Sequence, residues 1–140
     1  MYLFLTQCFP SKLGGIESLV SNLALSLSKE KKIIVFADKN NLFKDALFDN
    51  KYNDFISVRR YGGLKFFRRR KKVKELKLFL ETNKIELVIA DTWKSLELAV
   101  DFLNIKNIPT FCLAHGNELL WDNESRMNRI KKTLDKSTHI

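Results

Sequence analysis

Apolar and polar positions follow two different repeats along this chain, and the switches between them mark its elements. Tyr2–Leu5, Ile33–Ala37, Phe55–Val58, Ile85–Ala90 and Thr110–Ala114 are short apolar runs of strand length, the third ending in Arg59, Arg60 and Tyr61. The run IELVIA over 85–90 is nearly unbroken, as in a parallel strand covered on both faces. Between the first two runs, Ile16, Leu19, Val20, Leu23, Ala24 and Leu27 recur at the spacing of one helical stripe. A short helix is expected around Leu42–Phe48, and a longer one over 64–81 with Val73, Leu76, Phe79 and Leu80 facing the core. Leu96, Ala99, Val100 and Leu103 predict a further helix, and Met127, Ile130 and Leu134 an amphipathic one over 122–136.

Strands that alternate with helices of this length make a parallel sheet with right-handed crossovers, so the expected fold is α/β, a three-layer Rossmann-like sandwich in one domain. Ligands in such sheets lie beyond the carboxyl ends of the strands, where this order puts Gly14, Gly15, Asp38, Asp91 and His115. Pro10 ends the first strand, and the glycine pair opens the first helix. The first amides of a helix lack intrahelical partners and carry the positive end of its dipole, so a phosphate or carboxylate fits there. Glycines let such a group approach the backbone, although Glu17 in the first turn would repel it if it pointed inward. A bare glycine pair also serves as nothing more than a tight turn. Asp38 reads as a loop acid, because the glycine spacing does not supply the dinucleotide fingerprint that would give it a ribose.

Charge changes the picture in one place. The 140 residues carry a net charge of +9, yet ten basic residues and a single acid fall between Arg59 and Lys77, and the rest of the chain is balanced. The densest part is the unbroken block Arg68, Arg69, Arg70, Lys71 and Lys72, preceded by Phe66 and Phe67. Cations beside exposed aromatics suit an anionic membrane surface, with nucleic acid as the weaker partner and a solvated helix face as the bland reading. No apolar run approaches the roughly 20 residues of a spanning helix, and no basic stretch precedes the first apolar run, so a cytoplasmic protein is expected. Cys8 and Cys112 fit that compartment as unpaired thiols, and two Cys with two distant His give no metal-ligand spacing.

The string FPSKLGGIESLVSNLALSLSKEKKIIVFA resembles the opening of the N-terminal domain of GT-B fold glycosyltransferases, in particular the retaining family 4 group. A Pro-containing loop, Gly-Gly-x-Glu, a helix with Leu23, Ala24 and Leu27, and an apolar second strand occur here in the family's order. The resemblance touches the chain again at Ala114-His115-Gly116-Asn117-Glu118, since those enzymes commonly place a histidine after this strand, facing the interdomain cleft. It implies a site role for His115 near the reacting carbon, with Gly14, Gly15, Asp91 and Glu118 as substrate-binding candidates; Asp91 and Glu118 could equally cap the helices that follow. Residues 66–72 would form a membrane face like the basic helix of members that act on lipid-linked acceptors.

The implied reaction moves a sugar from a nucleotide-diphosphate donor to a hydroxyl acceptor, with no cofactor and no metal. Thr138–Ile140 look like the start of a sixth strand. The donor-binding half, with its acidic motif, is not in this sequence. The expectation is therefore an acceptor-side domain, incomplete alone, which a separate donor-binding chain could complete. The alternative is a non-catalytic module that docks on an anionic membrane or nucleic acid through its basic helix.

Overall fold

The computed structural model describes residues 1–116 and 123–140. Its core is a five-stranded sheet of β1 (Tyr2–Leu5), β2 (Ile33–Asp38), β3 (Ile56–Tyr61), β4 (Leu87–Ala90) and β5 (Thr110–Cys112). The spatial order is β3-β2-β1-β4-β5 and every pairing is parallel. The helices are α1 (Gly15–Leu27), α2 (Leu42–Lys51), α3 (Lys65–Thr82), α4 (Trp93–Leu96), α5 (Val100–Ile105) and α6 (Glu124–Leu134).

The pleat sorts each strand onto two cores. Leu3, Leu5, Ile34, Phe36, Val88 and Ala90 face one layer with Leu76 of α3, Leu96, Leu103 and Ile130. Phe4, Ile33, Val35, Ala37, Ile56 and Ile89 face the other, with Val20 and Ala24 of α1 and with Phe48 of α2. Both faces are covered, which explains the unbroken apolar runs and bears out the α/β three-layer reading.

Four details depart from the sequence pattern. Leu19 is half exposed, so the α1 stripe narrows to Ile16, Val20, Leu23, Ala24 and Leu27. Phe55 is exposed and lies outside β3, which begins at Ile56 and ends, as expected, in Arg59, Arg60 and Tyr61, the last packed on Phe36. The single helix expected after β4 is two: Ala99 N–H donates to Leu96 C=O, a tight three-residue turn that separates α4 from α5. The first half of α3 leaves the core only in part: Phe66, Phe67, Arg70 and Lys71 are exposed, but Arg69 is tied inward to Glu97. At the far edge His139 bridges Phe111 in parallel, with Cys112 N–H donating to its carbonyl at 3.0 Å, as the next strand of the sheet would. Among the described residues no helix is long and apolar enough to cross a membrane.

Candidate functional site

The strand order reverses between β1 and β4. α1 and α2 lie on one face and α3 to α6 on the other, so the crevice of this sheet opens where the chain leaves those two strands. Asp91, fully buried, fills that point. Its Oδ2 accepts hydrogen bonds from Thr6 Oγ1, from Gln7 N–H and from Cys8 N–H, each at 2.8 Å. Oδ1 is also buried and has no hydrogen-bond partner among the described residues. The carboxylate thus fixes the exit of β1, the loop that runs on to the glycine turn.

The Asp91 backbone carbonyl reaches the other way and accepts a hydrogen bond from His115 Nε2 at 2.6 Å. A carbonyl can only accept, so Nε2 carries the proton and the neutral ring is the Nε2–H tautomer. Asp91 therefore holds the exits of β1 and β5 in one arrangement, and His115 stands on the same rim as the loop to Gly14 and Gly15. Asp91 is neither a helix cap, since no side-chain bond caps α4, nor an open ligand. Glu118 lies outside the described residues.

At the glycine turn the two residues have different surroundings. Gly14 is extended and precedes α1, and a Cβ there would fall 2.2 Å from Glu17 Oε2. Glu17 is buried at the third helical position, where carboxylates turn back on the residue before the helix, with Lys12 Nζ 3.9 Å from its Oε1. Around Gly15, by contrast, there is open space. The turn thus receives the protein's own carboxylate on the Gly14 side and is open to an incoming group beside Gly15. At Cys8, between this turn and Asp91, burial first, then the charges of Asp91 and Glu17, push the thiol up to about 12, which disfavours the thiolate.

The basic block divides by helical phase, because five consecutive residues spread around the whole axis. Arg68 and Lys72 lie one turn apart and both reach Asp38, whose carboxylate oxygens sit 2.8 Å from Arg68 Nη2 and 2.6 Å from Lys72 Nζ. Lys72 Nζ also donates to Thr6 C=O at 2.7 Å, which ties α3 to the exit of β1. Lys72 is 4% exposed and is not a surface cation; burial depresses its proton affinity and Asp38 only partly restores it. Arg69 turns to Glu97 and to the Lys94 carbonyl. Only Phe66, Phe67, Arg70 and Lys71 of the expected membrane face are exposed, with Arg70 stacked over Phe66. Asp38 is likewise not a loop acid but the buried, doubly ion-paired last residue of β2.

Sequence reasoning missed the clamp behind the rim. Asp45 of α2 is buried and accepts from Ser11 Oγ at 2.6 Å and from Asn40 N–H at 2.8 Å, with Arg60 3.5 Å away. Burial opposes its ionisation, but these bonds and the Arg60 charge prevail and hold the carboxyl below its usual range. Arg60 also donates to Pro10 C=O and, by two nitrogens, to Asp49. The β1–α1 loop is thereby fastened at Ser11 and Pro10, just before the glycines. No motif marks this clamp; the one available signal is an acid at the helical position four residues after Asn41.

The sequence matches no family model and no curated protein. Solved structures do share its shape. One is HepE of Anabaena, in complex with UDP, with a TM-score of 0.65 at 18% identity over 97% of this chain. Another is the apo lipopolysaccharide outer core galactosyltransferase WaaB, with a TM-score of 0.60 at 17% identity over 96% of it. The chain has the Rossmann-like fold of these GT-B proteins. It spans 35% of the length of the first and 42% of the second. At such identities the likeness concerns the fold and does not single out one glycosyltransferase family.

A groove of about 420 Å³ is lined by Lys32, Ser57, Arg59, Glu75 and Phe79 among others. It flanks the edge strand toward the amino ends, the wrong side of a parallel sheet for a ligand. Among the described residues no three His, Cys, Asp or Glu side chains gather as metal ligands would.

Proposed function

We propose that this chain is the acceptor-side domain of a glycosyltransferase that moves a sugar from a nucleotide-diphosphate donor to a hydroxyl, of the retaining family 4 type. The observation that carries this reading is the single rim on which Asp91 joins the β1 exit, and hence the glycine turn, to His115. In that role the amides at Gly15 stabilise charge on the departing diphosphate, and His115 hydrogen-bonds the transferred sugar or the acceptor near the reacting carbon. The UDP held by one structure of the same fold supports a nucleotide-sugar partner. A donor-binding half, on this or another chain, completes the reaction, and the isolated 140 residues turn over no nucleotide sugar.

Titration of the ¹⁵N-labelled chain with UDP at millimolar concentration tests the assignment. The amides of Gly14, Gly15 and Ile16 and the ring of His115 shift together with one dissociation constant. Absence of any shift at those positions overturns the reading.

A place at the cytoplasmic face of a membrane is supported by Leu64, Phe66 and Phe67, exposed by 74%, 56% and 63% at the start of α3 beside Arg70 and Lys71. Co-sedimentation with anionic vesicles, lost when Phe66 and Phe67 become serine, supports that contact; unchanged sedimentation contradicts it.

A further inference from the structure

Three strand-to-helix junctions of this fold reverse the usual polarity of a helix start, in which apolar side chains turn inward and charged ones outward. In the first turn of α2 the acid Asp45 is buried, while Leu42 and Phe43 are exposed by 71% and 72%. At α1 Glu17 is buried, and Leu13 in the loop before it is 93% exposed. In α3 the buried position 72 is a lysine, whereas Leu64, Phe66 and Phe67 at its start are exposed. A single exposed leucine is ordinary; six large apolar side chains on adjoining junctions mark an interaction surface.

The junctions adjoin because they follow β1, β2 and β3, which run side by side in one direction. At about 4.8 Å per strand the three exits span roughly 10 Å. Asn40 Nδ2 donates to the Phe9 carbonyl at 3.1 Å, and Ser11 Oγ donates to Asp45, which joins the second junction to the first. A Cβ on Gly62 would lie 3.5 Å from Lys39 Cδ, so the third junction touches the second.

The outer charge of this surface has one sign. Residues 11–18, 38–45 and 61–71 contain three acids, Glu17, Asp38 and Asp45, and all three are buried. Asp38 is paired with Arg68 and Lys72, and Asp45 with Arg60. Lys39, Lys44, Lys65, Arg70 and Lys71 are exposed, as is Lys12, 3.9 Å from Glu17. The centre of a protein–protein interface is depleted of lysine, whereas apolar side chains set among cations fit a surface that is anionic at its face and apolar beneath.

We propose that Leu13, Leu42, Phe43, Leu64, Phe66 and Phe67 enter the interface of an anionic bilayer together, so that the carboxyl ends of β1, β2 and β3 face the lipid. The proposal rests on the α3 contact given above, extends it to two further junctions and thereby fixes the orientation of the sheet. It does not depend on sugar transfer.

The test uses the ¹⁵N-labelled chain with phosphatidylcholine nanodiscs, with and without phosphatidylglycerol, that carry a spin label high in the acyl chain. In the anionic discs the amides of residues 12–15, 41–44 and 64–67 broaden together, while those of Ile33 and Ile56, at the amino ends of their strands, do not. Leu42→Ser combined with Phe43→Ser leaves Tm unchanged, because both side chains are exposed, and weakens sedimentation with phosphatidylglycerol vesicles about tenfold. Loss of binding in the Phe66→Ser, Phe67→Ser variant alone, with broadening confined to α3, overturns the three-junction surface and leaves the α3 contact standing. Binding that neither pair of substitutions weakens overturns both, and equal binding to neutral discs overturns the part given to charge and with it the proposal. Self-association of the chain that the Leu42→Ser, Phe43→Ser variant abolishes, without broadening by lipid, makes the surface a protein interface and also overturns it. The response of Gly15 and His115 to UDP enters none of these outcomes, so the transferase reading stands or falls separately.

Discussion

Replacing Asp91 by alanine removes one carboxylate oxygen on which three donors converge at 2.8 Å, two of them backbone amides, of which Cys8 N–H keeps Thr6 Oγ1 at 3.0 Å as a second acceptor. A hydrogen bond to an ionised acceptor contributes about 1.5–3 kcal/mol net, so three at the low end sum to about 4–5 kcal/mol. Alanine also removes the desolvation cost of the carboxylate itself, which returns part of that, and the expected loss is about 3–4 kcal/mol. Asparagine keeps a neutral oxygen for the β1 exit but buries an amide nitrogen where Oδ1 has no partner, and it costs about 2 kcal/mol. Thr6→Val withdraws one donor and leaves the two amides satisfied, a loss of about 1 kcal/mol. Urea unfolding reads all three. With a slope of about 2 kcal/mol per molar, Asp91→Ala moves the midpoint down by roughly 1.5–2 M. An alanine variant within 1 kcal/mol of wild type, or an asparagine variant that costs as much as alanine, refutes the argument that this carboxylate organises the rim.

Gly14→Ala drives a Cβ into the Glu17 carboxylate and costs about 1 kcal/mol, whereas Gly15→Ala, in open helical space, is neutral or stabilising by up to about 1 kcal/mol. Chemical denaturation of Gly14→Ala with and without Glu17→Ala checks the mechanism, since the second change relieves the first. Asp45 has its folded-state pKa depressed, so its contribution is present above the ordinary carboxylate range near pH 4 and is lost as pH falls through the folded value. The difference in unfolding free energy between wild type and Asp45→Asn should accordingly shrink on acidification, and a difference that does not change with pH rules this out. Lys72→Met leaves Asp38 with Arg68 alone and costs about 1–3 kcal/mol, yet it leaves vesicle binding unchanged. Neutralising Arg70 and Lys71 instead weakens anionic vesicle binding about tenfold or more, at about 1 kcal/mol per cation. The reverse pattern would restore Lys72 to the surface.

The sheet was legible because its inner strands β1, β2 and β4 are apolar runs buried on both faces, and because glycine and proline punctuate the exits. That ordering alone puts Gly15, Asp91 and His115 at one end. What the residues do there was less legible. Asp91 reads as a cap or a ligand because a sequence does not show that two backbone amides and Thr6 fold back onto it. The cationic block reads as one surface only if consecutive residues are taken together. On a helix, positions 68 and 72 share a face, and their partner Asp38 lies thirty residues earlier. The cations around Trp93 were hidden for the complementary reason: Lys94, Arg126 and Arg129 lie far apart in the sequence, and only packing of α4 and α6 unites them. Asp45 and Arg60 belong to no pattern, since a buried clamp of one acid and one arginine looks like any other surface pair in a sequence.

The exits of β1, β4 and β5 form one preorganised rim only if His115 is held by the Asp91 carbonyl. Direct observation of the imidazole nitrogens by long-range ¹H–¹⁵N correlation at a pH where the ring is neutral decides it. A single Nε2–H tautomer with a slowly exchanging ring proton, lost in a variant that displaces Asp91, is the result expected here. An Nδ1–H ring, or a freely averaging mixture of both tautomers in the wild-type chain, contradicts it.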